Sequence, residues 1–210
     1  MQGVAWFASA AGFALAMSAT PGPNNALVAA TAANFGLRRS LPQVLGVSVG
    51  FPVMLVLVAL GAAELLRGAP GLMLALRWVG AAWMLWLAWG IATAAPPAPG
   101  AAPGRPQGKP MTALQAALFQ WVNPKAWIIA AGAIATYTGG EASLPGEASL
   151  LGEALALAAL FAVAACGSLL AWAALGAGTA RLLRDPAALR WFNRVMAGLL
   201  VASLVPVLAG

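Results

Sequence analysis

Histidine is absent from the 210-residue chain, cysteine occurs once, and acidic residues only five times. Without histidine, and with Cys166 as the single thiol, there is no ligand set for a transition-metal site, no intramolecular disulfide and no redox thiol pair. Cys166 reads as a small apolar residue in a helix. Charged residues of either sign make up 8% of the chain against 62% hydrophobic, and the mean hydropathy is +0.87. No window resembles a soluble domain, so the expected class is an all-α integral membrane protein. The formal charge of +6 would suggest nucleic acid in a soluble protein. In a membrane chain the placement of Lys and Arg matters more than their sum, and neither a nucleic-acid partner nor a cofactor is expected; membrane lipids are.

What the chain has in abundance is apolar helix. Runs of spanning length fall at 4–35, 41–63, 72–93, 112–138, 153–180 and 189–209, each near or above the roughly 20 residues that a bilayer requires. This predicts six transmembrane helices in one domain, residues 1–210. The sixth run carries Arg190 and Arg194 in its first turns, which fits arginines snorkelling to an interface. The first run lacks a basic leading segment and resumes at Ala26 after its interruption, so it is read as a retained helix and not as a cleaved signal.

Six helices place Arg38, Arg39, Arg105, Lys109, Arg181, Arg184, Arg190 and Arg194 on one side of the membrane and only Arg67 and Arg77 on the other. The positive-inside rule makes the first side cytoplasmic and puts both termini outside. The acidic segment with Glu141 and Glu147 is then outside too. From Gly140 to Leu157 a six-residue unit beginning Gly-Glu-Ala is repeated in tandem, which reads as a tolerated surface insertion. Residues 94–110, dense in Pro, Ala and Gly, form a cytoplasmic linker between a first repeat, about 1–93, and a second, about 111–210. Three helices per half is an odd number, so the halves enter the membrane from opposite sides.

Two interruptions organise the rest: Thr20-Pro21-Gly22-Pro23-Asn24-Asn25 and Trp121-Val122-Asn123-Pro124-Lys125. They break the first and fourth helices at corresponding places. Pro removes backbone hydrogen bonds that hydrocarbon cannot replace, so such breaks persist only beside a cavity or packed protein. Paired broken helices in two inverted halves are the pattern of a transporter with its site at the membrane midplane.

Those break motifs, together with Gly36-Leu37-Arg38-Arg39-Ser40, Gly46-Val47-Ser48-Val49-Gly50-Phe51 and Gly80-Ala81-Ala82-Trp83, resemble the lysine exporter / homoserine-threonine resistance (LysE/RhtB) superfamily of bacterial amino-acid exporters. The resemblance runs in consistent order from about residue 6 to the end. The doubled Asn24-Asn25, Trp86-Leu87-Ala88-Trp89 and Phe119-Gln120-Trp121-Val122-Asn123 are most similar to the cysteine/O-acetylserine exporter branch. Trp83, where that branch usually has Tyr, the Pro124 break and the acidic insertion depart from it. The resemblance implies a proton-driven exporter in the bacterial inner membrane, with exporters of homoserine and threonine or of basic amino acids as alternatives. A membrane-embedded enzyme would want clustered titratable groups, and a redox or metal carrier more than one thiol; the chain supplies neither.

An amino acid is a zwitterion, so its site must meet a carboxylate and an ammonium together. The half-helices after Pro23 and Pro124 begin within the membrane and offer free N–H groups to a carboxylate. Asn123 fits an N-cap followed by Pro at the first helical position. Carbonyls near Thr20 and Gln120, at the ends of the preceding half-helices, are candidates to receive the ammonium. The candidate substrate-binding set is therefore Thr20, Pro21, Gly22, Pro23, Asn24, Asn25, Gln120, Asn123, Pro124 and Lys125. The Thr and Asn side chains have a second reading, as caps of their own helices. Lys125, the one charge placed deep in a helix, has three: it binds the carboxylate, exchanges a proton, or simply snorkels to an interface or pairs with a carbonyl. No carboxylate lies deep, with Glu64 and Glu153 near the outer ends of their helices, which favours a neutral substrate. Glu64 has Arg67 three residues on as a partner.

Trp6, Trp78, Trp89 and Trp191 read as interfacial anchors, and Trp83 and Trp86 as helix-packing core or pathway lining. Gly46 and Gly50, four residues apart, allow close helix approach inside the bundle or at a homodimer contact.

Overall fold

The computed structural model describes residues 2–62, 64–65, 68–94, 109–139, 149–182 and 186–205. Almost all of the linker, Arg67, Glu141, Glu147, Arg184 and the chain ends lie outside these residues. The described elements are helical: α1 (Gln2–Ala19), α2 (Pro23–Phe35), α3 (Leu37–Leu57, running on through a π turn at Val58–Ala62), α4 (Pro70–Ala92), α5 (Ala113–Phe119), a 3₁₀ turn (Gln120–Val122), α6 (Pro124–Tyr137), α7 (Leu150–Leu182) and α8 (Pro186–Ala202).

Local chemistry explains the boundaries. The residue before a proline is biased away from the helical region, and Gly22, which precedes Pro23, is extended. The chain therefore leaves α1 and restarts with Pro23 at the first position of α2, bent by 53° across the break. Gly36, at φ 87°, a region open to glycine, turns the chain from α2 directly into α3. Arg38 and Arg39 thus sit in the first turn of α3 and not in a loop, and the helix starts four residues before the sequence-predicted span. Thr112 opens α5 with a reciprocal capping box: its hydroxyl accepts the Gln115 N–H at 3.2 Å while the Gln115 side chain accepts the Thr112 N–H at 2.9 Å.

Three helices, Leu37–Ala62, Pro70–Ala92 and Leu150–Ala180, are long and apolar enough to cross a membrane, and the bent α1–α2 pair makes a fourth. α5, α6 and α8 are each shorter than a full span. α2, although it carries Asn24, Asn25, Thr31 and Asn34, has no fully exposed residue and packs on α3, α7 and α8. α7, 33 residues and so roughly 50 Å long at 1.5 Å per residue, also packs on α1 and α3. α3 packs on α5, and α4 on α8.

The close approaches are made by glycine. A Cβ at Gly46 would run into the Ala113 carbonyl, one at Gly50 into Ala117, and one at Gly176 into the Ala29 carbonyl. Gly46 and Gly50 are therefore used inside the bundle, where α3 meets α5.

Several expectations are corrected. Trp6 is no interfacial anchor: it is 5% exposed, stacks edge-on against Tyr137, and donates its indole N–H to the Tyr137 carbonyl at 3.3 Å. Trp86 is not core, being 69% exposed on the outer face of α4, whereas Trp83 packs edge-on against Phe119. The third unit of the tandem repeat, Gly152–Leu157, is no loop but the start of α7. Its Glu153 is buried at 2% exposure and accepts the Gly139 N–H at 3.1 Å, tying the start of α7 to the end of α6.

Candidate functional site

The two breaks meet. Asn24, in the first turn of α2, and Gln120, at the end of α5, exchange reciprocal amide hydrogen bonds: Asn24 Nδ2 donates to Gln120 Oε1 at 2.9 Å, and Gln120 Nε2 donates to Asn24 Oδ1 at 3.2 Å. Gln120, wholly buried, also donates to the Ala116 carbonyl of its own helix at 2.8 Å, so both of its polar atoms are engaged. This pair ties residues 96 apart in sequence and fixes one break against the other.

Asn25 caps the helix that precedes it. Its Nδ2 donates to the carbonyls of Ser18 at 3.0 Å and Thr20 at 3.1 Å, while Ser168 of α7 donates its hydroxyl to the same Ser18 carbonyl at 2.8 Å. Thr20 turns its own hydroxyl back to the Ala16 carbonyl at 2.6 Å. Asn123 behaves as its sequence predicts: its Oδ1 accepts the Lys125 N–H at 3.1 Å, with Pro124 at the first position of α6.

Lys125 crosses from the second break to the first. Its ammonium donates to the Thr20 carbonyl at 2.6 Å, at the negative end of α1, where a cation is favoured. Its stem lies over Gly22, where a Cβ would stand only 2.8 Å from Lys125 Cδ and 3.0 Å from Nζ. Gly22 is extended, which any residue tolerates; the lysine stem is what a larger residue there would have to move. The carbonyls offered to an ammonium are thus already engaged, Thr20 by Lys125 and Asn25, and Gln120 by the Asn123 N–H at 3.2 Å.

Between the breaks lies a cavity of about 50 Å³, room for a few waters at roughly 10 to 15 Å³ each. Of the ten candidate residues, Gly22, Pro23, Asn24, Asn25, Gln120, Asn123 and Lys125 line it; Thr20, Pro21 and Pro124 do not. Ser18 from α1 and an apolar wall of Phe51 from α3 and Phe161 and Leu169 from α7 complete it. The aromatic wall was missed in the sequence because an apolar helix gives no sign of which residues face inward. Ser18 and Ser168, hydroxyls in otherwise apolar runs, were the available signal. α2 has no side-chain cap, so the N–H groups of its first turn are open to a ligand, whereas the first free N–H of α6 is taken by Asn123. The lining residues include one cation and no carboxylate.

Comparison with known proteins identifies the family. A family profile described as LysE type translocator matches residues 15–209. Proteins named cysteine/O-acetylserine efflux protein are similar over 125 residues, 60% of this chain: that of Klebsiella pneumoniae subsp. pneumoniae is 36% identical over 61% of its own length, that of Salmonella typhimurium 37% over 62%, and that of Escherichia coli K12 34% over 62%. The similarity thus spans about three fifths of the length of these relatives. No solved structure matches. With a matched profile covering nearly the whole chain, apolar helices of spanning length and two breaks joined at one cavity, this multi-pass membrane protein belongs to the LysE type translocators, a family of transporters and not of enzymes.

Proposed function

We propose that the chain exports small neutral amino acids or their derivatives, cysteine and O-acetylserine foremost, across the bacterial inner membrane, driven by the proton gradient. The charge arrangement of the break cavity carries this reading: one ammonium, Lys125, beside the uncapped N–H groups of α2, and no carboxylate in the lining. That suits the carboxylate of a zwitterion, and the small volume suits a short side chain. A lysine or arginine substrate would bring a second cation with no counter-charge to meet it.

Binding is then an exchange of like for like. The substrate carboxylate draws Lys125 off the Thr20 carbonyl, and the substrate ammonium takes its place there, so no charge is left unpaired. Lys125 is the one titratable side chain in the lining, and so the group through which a coupled proton would pass. The test is release of cysteine and O-acetylserine, under overload, from cells that lack their own exporters. Cells expressing the chain should release them several-fold faster than the empty-vector control. Export confined to lysine or arginine would overturn the reading, and export confined to threonine or homoserine would move the substrate within the neutral class.

The arrangement proposed for it is six spans in two inverted halves with both termini outside. Supporting this, each broken span packs on the middle helix of the other half, α1–α2 on α7 and α5 on α3, while α4 pairs with α8. In a Cys166→Ala background, single cysteines at the exposed positions Lys109 and Ser149 flank α5–α6. An impermeant maleimide should label Ser149→Cys in intact cells and Lys109→Cys only after the membrane is opened. Labelling of both from one side would make α5–α6 a re-entrant loop and remove the inverted repeat.

A further inference from the structure

A second, larger cleft of about 260 Å³ lies on the other side of the second break, between α4 and α6. Its apolar walls are Met73 and Leu76 of α4, Trp121, and Trp127 and Ile128 of α6. Arg77 is the one charge among the lining residues. It is the eighth residue of α4, roughly 10 Å along the helix from its start at 1.5 Å per residue. Its Nε is buried and has no hydrogen-bond partner among the described residues, and its guanidinium lies 5.8 Å from the centre of the Trp78 ring. The residue is half-buried, and the Trp78 ring is the one partner of its guanidinium among the described residues; a cation held by an aromatic face alone within an apolar span is a costly arrangement that an anionic ligand would relieve.

The shape of the cleft decides which anion. Its rim is exposed and apolar, through Met73, Trp78 and Ile128, on helices whose outer faces meet lipid if the chain spans the bilayer. A small zwitterion fits poorly, because it would leave most of the apolar wall of Met73, Leu76, Trp127 and Ile128 uncovered in a cleft of about 260 Å³. An amphiphile fits at both ends: a phosphate for the guanidinium fork and an acyl chain for the Met73, Leu76 and Ile128 wall. The inner edge of the cleft is fixed one turn beyond Arg77, where a Cβ on Gly80 would stand 2.7 Å from the Val122 carbonyl.

We infer that this cleft is a binding site for one anionic phospholipid, its phosphodiester held by Arg77 and one acyl chain lying against α4 and α6. The lipid would rest on Val122 and Pro124, the backbone that positions Asn123 and Lys125, and so brace the second break from the membrane side. This site is independent of what the chain transports.

The test uses the purified full chain, equilibrated in mixed micelles with equal amounts of phosphatidylglycerol and phosphatidylcholine of the same acyl composition, and bound lipid counted by native mass spectrometry. Phosphatidylglycerol should be retained in preference. Arg77→Gln should lower that preference about tenfold, the loss of one charge-assisted contact, while Arg77→Lys keeps most of it and the exposed Arg194→Gln keeps it all. Leu76→Trp, which fills the slot but retains the charge, should lose the lipid as well, and serves if Arg77→Gln does not fold. Unchanged preference in Arg77→Gln or in Leu76→Trp overturns the inference. So does displacement of the lipid by inorganic phosphate or by cysteine at equal concentration, since either would make the cleft a site for a small soluble anion.

Discussion

Lys125→Met is expected to reduce export at least tenfold while the protein still accumulates in the membrane. The substitution removes the one cation of the break cavity and keeps a long apolar stem. A charge-assisted hydrogen bond is worth about 1.5 to 3 kcal/mol, so losing it from a bound carboxylate weakens binding roughly ten- to a hundredfold. Insertion should not suffer, because a lysine in a spanning helix is itself unfavourable by about 2.5 to 3.5 kcal/mol at the bilayer centre. Lys125→Arg separates the two remaining roles: it keeps the charge but scarcely deprotonates. Retained substrate binding with lost gradient-driven accumulation would assign Lys125 to proton exchange; loss of binding would assign it to the carboxylate. Gly22→Ala reaches the same lysine without touching its charge, since the new Cβ would fall 2.8 Å from Lys125 Cδ and push the stem off the Thr20 carbonyl. Its export should fall by less than that of Lys125→Met, because the stem can shift and keep its charge in the cavity. Wild-type export by Lys125→Met at wild-type abundance would leave the lysine as a structural tie between the two breaks and nothing more.

The breaks were legible because proline and glycine act on the backbone locally. The close pair Pro21 and Pro23 ends one helix and opens another, whereas the single Pro42 and Pro52 are carried inside α3, and Asn123 before Pro124 is an N-cap from sequence alone. Faces were not legible. In a soluble protein polar residues mark the outside of a helix, but a membrane helix is apolar toward both lipid and protein. Nothing in the runs around them distinguishes buried Trp6 from outward Trp86, or shows that Phe51 and Phe161 wall the cavity. Arg77 shows the same limit. Counting it with the loop charges serves the expected orientation, yet hides that it sits a third of the way along α4 and faces a cleft. Glu153 was placed in a helix correctly, but the repeat around it suggested a loop-like segment, and only the fold shows its carboxylate receiving the Gly139 N–H. Partner choice was hidden throughout, since the Asn24–Gln120 pair spans the two halves of the chain.

Small residues are the exception, because they mark contacts that hydropathy cannot, and they set the second large effect. Gly46→Ala and Gly176→Ala should each destabilise the bundle by about 1 to 3 kcal/mol, the usual range for overpacking, and toward its upper end. The atoms that their new Cβ would meet are backbone, the carbonyls of Ala113 and Ala29, which cannot rotate aside as a flexible side chain would. The same substitution at Gly12 or Gly132, where nothing lies within 4 Å, should be neutral or stabilising by up to about 1 kcal/mol, the helical advantage of Ala over Gly. Thermal unfolding of the purified variants in detergent measures the difference, and abundance in the membrane reports it where a variant cannot be purified. The opposite signs are what matter: glycines that merely loosen a helix would all respond as Gly12 does. Were Gly46→Ala as stable as wild type but altered in its subunit number, the α3–α5 packing would be wrong and Gly46 would belong to a contact between chains.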